Sequence, residues 1–289
     1  MIIGITEPGN EYSYLSEFSD VQSIGYTWNP DVEKILELEP DAIIIHPGPG
    51  PGGDLNHVVR TLEDSGMTVL CFRCNLPESY PEEIEALGHL FEREDEAEKF
   101  SEFYESVHDS IGGITDSIPD ERRPKVYSEW KPYYTSSLDA YPIEMAGGKY
   151  IFAGAGPIKE VDPEAVISQD PDIIIRIVWD EDYDAKMTDD TAKLEETREE
   201  MLNRPELQNV TAVKNGNVFV IASPLWTYLP YSGCRHFIGI GYLAKWFHPD
   251  LFGNLDPETV HQQYLTEFQG VSYDLNERGV FVYPAPDGY

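Results

Sequence analysis

The chain has 289 residues and a formal net charge of −33, from 53 acidic and 20 basic residues. A surface this acidic repels phosphate backbones, so nucleic acid is not an expected partner. Hydrophobic residues make up 41% of the chain, enough for a core, but no run approaches the ~20 apolar residues of a membrane helix. The acidic surface fits a salty medium, a basic docking partner or a solvated shell with no specific partner, and all three remain open.

The first ninety residues alternate between strand-like and helix-like patterns. Asn29 is expected to cap a helix that has Pro30 at its first position and ends before Pro40. The apolar run that follows predicts a parallel strand covered on both faces. The predicted elements are a strand over 2–6, a helix over 30–39, a strand over 41–45, a helix over 55–65, a strand over 67–72 and a helix over 82–91.

A long helix is predicted next, because apolar residues recur every three or four positions from Ala97 to Ile118. Asp95 is expected to cap it. At ~1.5 Å per residue, a helix over 94–118 is about 37 Å long, more than a small lobe needs. The pattern therefore predicts a connection between two lobes, with Gly112-Gly113 as a weak point. One long helix packed on a single domain is the alternative.

The remaining sequence again alternates between strands and helices. The predicted elements are a strand from 125, helices over 137–146 and 161–170, a strand over 173–178, a helix over 188–202, a strand over 217–221, and helices over 237–247 and 257–268. The last twenty residues are expected to form an irregular tail packed by aromatic side chains. This second half also predicts an α/β unit.

Two passages on either side of the long helix repeat each other. Glu33 lies seven residues before Pro40, and Glu164 lies seven residues before Pro171; in both places a Pro-Asp pair begins an apolar strand. A repeat at this distance favours two lobes of similar α/β build. Chance similarity between common helix-to-strand signals is the alternative.

The loops after the predicted strands are rich in aromatic residues. Ligands of open α/β sheets bind at the carboxyl ends of strands, and aromatic rings suit a bulky, ring-rich ligand. Arg235 can bind a carboxylate, phosphate or phenolate, and His46 is either a hydrogen-bonding loop residue or a ligand to a chelated metal. Some of these rings will instead cap the core. The candidate ligand-binding residues are Tyr26, Trp28, His46, Trp130, Tyr133, Tyr134, Trp226, Tyr228, Tyr231 and Arg235.

No enzymatic motif stands out in the sequence. It lacks G-x-S-x-G, H-E-x-x-H and a phosphate-binding Walker loop. Cys71 and Cys74 form a C-x-x-C within a strand-like run, whose odd spacing sends the two side chains to opposite faces. We therefore predict no catalytic residues, no resident metal site and no cofactor, and leave the roles of Cys71, Cys74 and Cys234 open. The pattern favours binding over catalysis.

Several stretches resemble the solute-binding proteins of ABC importers for iron–siderophores, haem and cobalamin. They are residues 29–45, 87–103, 133–152, 162–175 and 235–252. The resemblance implies two Rossmann-like lobes with parallel-type sheets and flanking helices, bridged by a single long helix, with a ligand cleft between the lobes. The implied parts are an N-terminal lobe over 1–92, a connecting helix over 93–118 and a C-terminal lobe over 119–289.

The same resemblance implies a function. The protein is expected to be a monomer that captures a metal chelate (a ferric siderophore, haem or a corrinoid) and delivers it to a permease with its ATPase. Glu33 and Glu164 would dock on permease arginines, although a helix dipole also favours glutamates there. By position, the cleft would be lined by Trp28, Trp130, Tyr133, Tyr134, Trp226 and Arg235.

The implied location is extracytoplasmic, although the sequence contains no recognisable signal or lipid anchor. The family pattern has a strand and a helix before the part that matches Ile2–Ile5, which leaves a truncated start and a reduced first lobe as alternatives. Two other functions also stay open. One is a cytoplasmic enzyme or metallocluster-handling protein on a similar two-lobed scaffold, and the other is a binder of molybdate or tungstate.

Overall fold

The computed structural model describes residues 1–6, 20–50, 53–74, 79–136, 140–154, 156, 159–179, 183, 185, 188–222, 225, 236–270, 274–275 and 279–286. Backbone contacts group the chain into two compact units, Met1–Ala86 and Leu87–Tyr289. We call these the first and the second unit. The predicted α/β class, with parallel-type sheets and flanking helices, is confirmed.

The first unit is built from short paired strands and two helices, and a third helix crosses its boundary. β1 pairs parallel with β2, and β5 pairs parallel with β8, whereas β3–β4 and β6–β7 are antiparallel pairs. The strands are β1 (Gly4–Ile5), β2 (Gln22–Ser23), β3 (Gly25–Tyr26), β4 (Asn29–Pro30), β5 (Ile43–Ile45), β6 (Pro49–Gly50), β7 (Gly53–Asp54) and β8 (Val69–Cys71). The helices are α1 (Val32–Leu38), α2 (Asn56–Asp64) and α3 (Tyr80–Phe91).

The core of the first unit lies on one face of the β5–β8 pair. Ile35 of α1 and Leu62 of α2 are buried there, and Ile43 and Ile45 pack against them. Side chains alternate along a strand, so Ile44 points to the other face, where half of it is exposed (50%). The prediction that this strand is covered on both faces is therefore wrong for Ile44.

The start of α1 differs from the prediction. Asn29 and Pro30 form β4, which pairs with β3, so Asn29 does not cap the helix. Asp31 is the cap instead, and its Oδ1 accepts a hydrogen bond from the backbone N–H of Lys34 at 3.1 Å. Asn29 and Pro30, which the Asn-Pro signal assigned to the start of the helix, belong instead to the β3–β4 hairpin.

The second unit contains the long helix and a larger sheet. Its helices are α4 (Glu94–Thr115), α5 (Ala140–Met145), α6 (Pro163–Gln169), α7 (Ala192–Asn203), α8 (Thr211–Asn215), α9 (His236–Phe247) and α10 (Pro257–Gln263), and a π-helical turn over Tyr264–Phe268 continues α10. Short 3₁₀ turns lie at Asp120–Arg122 and Pro205–Leu207. Its strands are β9 (Lys125–Glu129), β10 (Tyr134–Thr135), β11 (Lys149–Tyr150), β12 (Lys159–Glu160), β13 (Ile173–Val178), β14 (Val218–Ala222) and β15 (Val282–Tyr283).

Five of these strands form one sheet in the order β11-β9-β13-β14-β15. The first four run parallel, and β15 pairs antiparallel with β14 at the edge. The expected irregular tail therefore contributes a strand, because Val282 and Tyr283 complete the ladder of β14. β9, β13 and β14 all end on the same side of the sheet. We call this side the carboxyl edge.

α4 confirms the predicted long helix and corrects its cap. The capping position of α4 is Arg93, whose side chain makes no capping hydrogen bond. Asp95 lies in the first turn of the helix, so it is not the cap. Its buried stripe contains Tyr104, Val107 and Ile111, and the Tyr104 ring lies edge-on to Phe237 of α9 at 5.5 Å. α4 is grouped with the second unit.

Among the residues with described positions, no helix combines the length and the apolar character needed to cross a membrane.

Candidate functional site

Two tryptophans lie together at the carboxyl edge of the second unit. Trp130 follows β9 and Trp179 follows β13, and these strands are neighbours with Arg176 opposite Glu129 in register. The two indole rings are 5.4 Å apart at 65°. Both Nε1 atoms are buried, and neither has a hydrogen-bond acceptor within the described part of the chain. The edge therefore presents ring faces together with two unused donors, which is what a ligand with apolar surface and oxygen acceptors requires.

Tyr134 and Lys131 also contact the ring of Trp130. The Tyr134 ring lies edge-on to the Trp130 ring at 6.0 Å, and the Lys131 ammonium is 4.9 Å from that ring. The phenol of Tyr134 donates to a carboxylate oxygen of Glu160 at 3.4 Å. The structure thus brings two of the predicted residues, Trp130 and Tyr134, into contact.

On the other face of the sheet, β9 and β13 end in a buried charge cluster. Glu129 is completely buried and accepts hydrogen bonds from both terminal nitrogens of Arg204 at 3.0 and 2.9 Å. Its carboxylate also accepts from the Tyr127 hydroxyl at 2.8 Å, and Nε of Arg176 is 4.0 Å away. Side chains alternate along strands, so these groups lie on the face opposite Trp130 and Trp179.

The buried charge cluster holds the turn that carries Tyr133. The backbone N–H of Tyr133 donates to Glu129 at 2.8 Å, and its φ of +61° lies in the left-handed region that a non-glycine residue rarely adopts. The Tyr133 hydroxyl donates to Glu206 at 2.5 Å, and the guanidinium of Arg204 lies 5.2 Å from its ring. Burial, and then the bond to Glu206, raises the pKa of Tyr133 to about 12. Tyr133 is therefore a neutral donor in a fixed position.

Sequence reasoning missed the roles of Glu129, Arg176 and Arg204. Two of them carried a signal: Arg176 is the only charged residue in the apolar strand β13, and Glu129 is the last residue of β9. A charge inside a buried strand needs a partner. Arg204, which supplies that partner, lies 75 positions from Glu129 and has no local signal.

In the first unit, Trp28 lies between β3 and β4 and is close to His46, which follows β5. Their rings are 6.1 Å apart at 74°. Trp28 is buried in the core of the unit (9% exposed), whereas Tyr26 is 56% exposed. Both ring nitrogens of His46 are buried and lack a hydrogen-bond partner among the described residues. Burial, assisted by the charge of Arg73, lowers the pKa of His46, so its imidazole is neutral at pH 7.

The C-x-x-C residues lie beside β5 and β8 and are not joined in a disulfide. Cys71 is exposed and ends β8, while Cys74 follows it with a left-handed φ of +47°. Glu83 accepts the backbone N–H groups of Arg73 and Cys74 at 3.2 and 2.6 Å. Burial, and then Glu83, raises the pKa of Cys74 to about 12, which suppresses the thiolate form. Within the described ranges, no three His, Cys, Asp or Glu residues are placed to hold a metal ion.

Four of the predicted ligand-binding residues, Trp226, Tyr228, Tyr231 and Arg235, lie outside the described residues, as does Cys234.

Glu33 and Glu164 occupy matching positions in the two units. Each is the second residue of a seven-residue helix, α1 or α6, and each is exposed. Asp31 and Asp162 cap the two helices with their side chains. Each helix also ends at a left-handed residue, with φ 47° after α1 and 46° after α6. The repeat in the sequence is thus a repeat of local structure.

The chain belongs to the periplasmic binding protein family, whose model matches residues 3–225. This family membership confirms both the resemblance to ABC-importer solute-binding proteins and the expectation of a binding protein rather than an enzyme. No curated protein matches this chain in sequence.

Three solved structures illustrate the similarity of fold. The TroA-like periplasmic binding protein FepB from Veillonella parvula is 22% identical, with a TM-score of 0.73 over 94% of this chain and 80% of that one. The molybdate-bound periplasmic binding protein MolA from Haemophilus influenzae is 17% identical, with a TM-score of 0.69 over 92% and 83%. CeuE from Helicobacter pylori, with Ni(II) bound, is 18% identical, with a TM-score of 0.67 over 91% and 82%.

Proposed function

We propose that this protein captures a metal chelate (a ferric siderophore, haem or a corrinoid) and delivers it to an ABC permease with its ATPase. The general class, a substrate-binding protein of an ABC transporter, follows from the family. The observation that carries the ligand proposal is the pair of Trp130 and Trp179, with two buried indole donors at the carboxyl edge. Large chelates offer both apolar surface and oxygen acceptors to such a pair.

A small oxyanion is the second candidate, because MolA, which is similar in fold, is bound to molybdate. A tetrahedral oxyanion requires a tight polar pocket with several donors around one point. The carboxyl edge of the second unit instead presents the rings of Trp130, Tyr134 and Trp179. This composition favours the chelate.

His46 supports the same proposal from the first unit. Its imidazole is neutral and its two buried nitrogens have no partner within the described residues. A neutral imidazole can accept or donate a hydrogen bond, or supply a nitrogen ligand to a metal. The lobe boundaries at 92 and 118, and the cleft that the resemblance implies, remain predictions.

We also propose that Glu33 and Glu164 dock the protein on its permease. Their support is the matched geometry of α1 and α6, which exposes one glutamate on the first turn of each helix. An exposed carboxylate pairs well with an arginine on a partner. A monomeric state and an extracytoplasmic location are part of the same proposal.

Titration of tryptophan fluorescence with a panel of compounds tests the proposed function. The panel contains a ferric trihydroxamate, a ferric tricatecholate, haemin, cyanocobalamin, sodium molybdate and sodium tungstate. Saturable quenching by one of the four chelates at ~micromolar concentration supports the proposal. Binding of molybdate or tungstate alone would favour the oxyanion candidate, and no binding by any compound would overturn both.

A further inference from the structure

A groove of about 500 Å³ runs along one side of α4 in the second unit. One wall is formed by α4 between residues 99 and 110, and the other by α10 and the π-helical turn between residues 260 and 268. Its apolar surface comes from Phe103, Val107, Val260 and Phe268. The carboxyl edge is formed by other residues, so this groove is a separate feature of the unit.

The length of the groove matches a short helix. The α4 residues that line it are spaced by three and four positions over roughly three turns, or about 16 Å at ~1.5 Å per residue. Phe268 stacks on Phe103 at 4.9 Å and 24°. At the same end, Lys99 forms an ion pair with Glu267 at 3.2 Å and lies 5.5 Å from the Phe268 ring. The groove is therefore bridged at one end and open along its length.

The solvent side of α4 next to the groove carries a stripe of acidic side chains. Glu98, Glu102, Glu105 and Asp109 follow the spacing i, i+4, i+7 and i+11, which places them in one stripe on the helix. All four are exposed, and none forms an ion pair with any residue that the structure describes. Like charges four residues apart repel each other in a helix. A cationic partner would remove this repulsion.

We propose that this groove binds a basic amphipathic α-helix of a partner protein. The apolar face of that helix would pack on Phe103, Val107 and Val260, as in helix-in-groove recognition with anchors at i, i+3, i+4 and i+7. Its lysines and arginines would lie against the acidic stripe. The stripe repels anionic lipid and nucleic acid, so a protein helix is the occupant that the charge selects. Ligand capture at the carboxyl edge does not depend on this site.

The test uses the full chain and a fluorescein-labelled 14-residue peptide built from leucine, alanine and lysine, with leucines at helical spacing. Fluorescence anisotropy is measured at ~0.15 M salt. Two control peptides are used: one has the same composition in an order that destroys the helical period, and the other has glutamate in place of lysine. Saturable binding of the basic amphipathic peptide alone is the expected result. No binding, or equal binding of either control peptide, would overturn the proposal.

Two variants locate the binding. Ser106→Trp fills the groove from an exposed position whose hydroxyl donates to the carbonyl of Phe103, within α4. Glu98→Lys/Glu102→Lys neutralises the stripe, because two of its four carboxylates become ammonium groups. Each should weaken peptide binding by about tenfold or more, because one blocks the apolar surface and the other the charge.

The matched control is Glu195→Lys/Glu199→Lys on α7, which has the same spacing and changes the net charge equally. It should leave binding within about twofold of the wild type. An equal loss in this control would mean that net charge, not the groove, holds the peptide. That result, or wild-type binding by both groove variants, would contradict the proposal.

Discussion

Glu129 accepts hydrogen bonds from both terminal nitrogens of Arg204, at 3.0 and 2.9 Å, with its side chain completely buried. The carboxylate also accepts the backbone N–H of Tyr133 and so holds the turn that follows Trp130. In a chain with 53 acidic residues, most of which solvent can reach, this carboxylate has an internal structural role. Glu129 therefore links the packing of β9 to the position of the aromatic residues at the carboxyl edge.

Glu129→Gln should lower the free energy of unfolding of the second unit by ~3–5 kcal/mol. The glutamine has the same shape, but it removes the buried counter-charge of the Arg204 guanidinium and leaves only the exposed carboxylate of Glu200, 3.8 Å away. Breaking a buried ion pair has this cost. The measurement is the urea midpoint followed by circular dichroism. Binding of any ligand at the carboxyl edge should weaken as well, because a neutral amide oxygen accepts the N–H of Tyr133 more weakly than the carboxylate does.

Asp250→Asn is the control for this comparison. Asp250 pairs with Arg122 at 2.9 Å, but both side chains are more than half exposed. Exposed pairs contribute only ~0–1 kcal/mol. If Glu129→Gln destabilises no more than Asp250→Asn, the buried cluster does not have the role given to it here.

Gly113→Ala should raise the free energy of unfolding by ~0.5–1 kcal/mol. Gly113 lies inside α4, is exposed, and has open space where a Cβ would be. Alanine is the better helix former because glycine loses more backbone entropy on folding. Urea unfolding measures the change, and an unchanged or lower midpoint would show that α4 depends on a deformable glycine here.

Gly147→Ala is the opposite case. Gly147 has a left-handed φ of +84°, and a Cβ there would lie 2.9 Å from Nε2 of His248. Alanine should therefore destabilise the protein by ~1 kcal/mol or more. The two substitutions have the same chemistry, so opposite signs would separate helix propensity from backbone strain.

Asp170 should contribute to stability in a pH-dependent way. Its carboxylate accepts the backbone N–H and the hydroxyl of Thr211 at 2.7 and 2.9 Å, and these bonds hold the pKa of Asp170 below the usual 3.8. A lowered folded-state pKa stabilises the fold above pH 3.8, and this contribution is lost as the pH falls through the folded-state pKa. Asp170→Asn should reduce stability at pH 7 and show a smaller further loss between pH 4 and 2.

The exposed Asp189 provides the comparison for Asp170. Urea midpoints of the wild type, Asp170→Asn and Asp189→Asn are measured from pH 7 to pH 2. Comparing variants removes the general effect of protonating so many carboxylates. If the wild type and Asp170→Asn show parallel pH profiles, the bonds to Thr211 do not stabilise the ionised form.

Charge reversal at Glu33 and Glu164 should separate docking from ligand binding. Glu33→Arg/Glu164→Arg is expected to abolish ligand-dependent stimulation of ATP hydrolysis in the reconstituted transporter, because like charges would face the permease arginines. Ligand affinity should stay within about twofold of the wild type. Glu37→Arg, at another exposed position of α1, should keep the stimulation. Full stimulation in the double variant would contradict the docking proposal.

Much of the fold could be predicted from local sequence patterns. The sequence predicts the strand over 173–178 with its observed bounds, since an apolar run that begins after Pro-Asp, interrupted only by Arg176, is a local signal. The three-and-four spacing of α4 is also a local signal, although the helix ends at Thr115 and not at 118. The two copies of the repeat that contain Glu33 and Glu164 are local signals as well. Each of these signals lies within one short stretch of the chain.

Other features depend on residues that are distant in sequence. The contact between Trp130 and Trp179 follows from the register that pairs Glu129 with Arg176. The bond between Glu129 and Arg204 joins residues 75 positions apart. β15 has only two residues and exists because β14 offers an edge. No local pattern predicts such pairings.

The most direct test of the account is the effect of removing the two indole donors on chelate binding. Calorimetric titrations with the ferric trihydroxamate, the ferric tricatecholate, haemin and cyanocobalamin compare the wild type with Trp130→Phe/Trp179→Phe. The control is Trp246→Phe, whose ring stacks on Phe219 near the opposite end of β14. At ~1 kcal/mol per lost hydrogen bond, the double variant should bind the recognised chelate about 10- to 30-fold more weakly, and Trp246→Phe should match the wild type. Equal affinity in all three proteins, or no binding of any chelate to the wild type, would contradict the account.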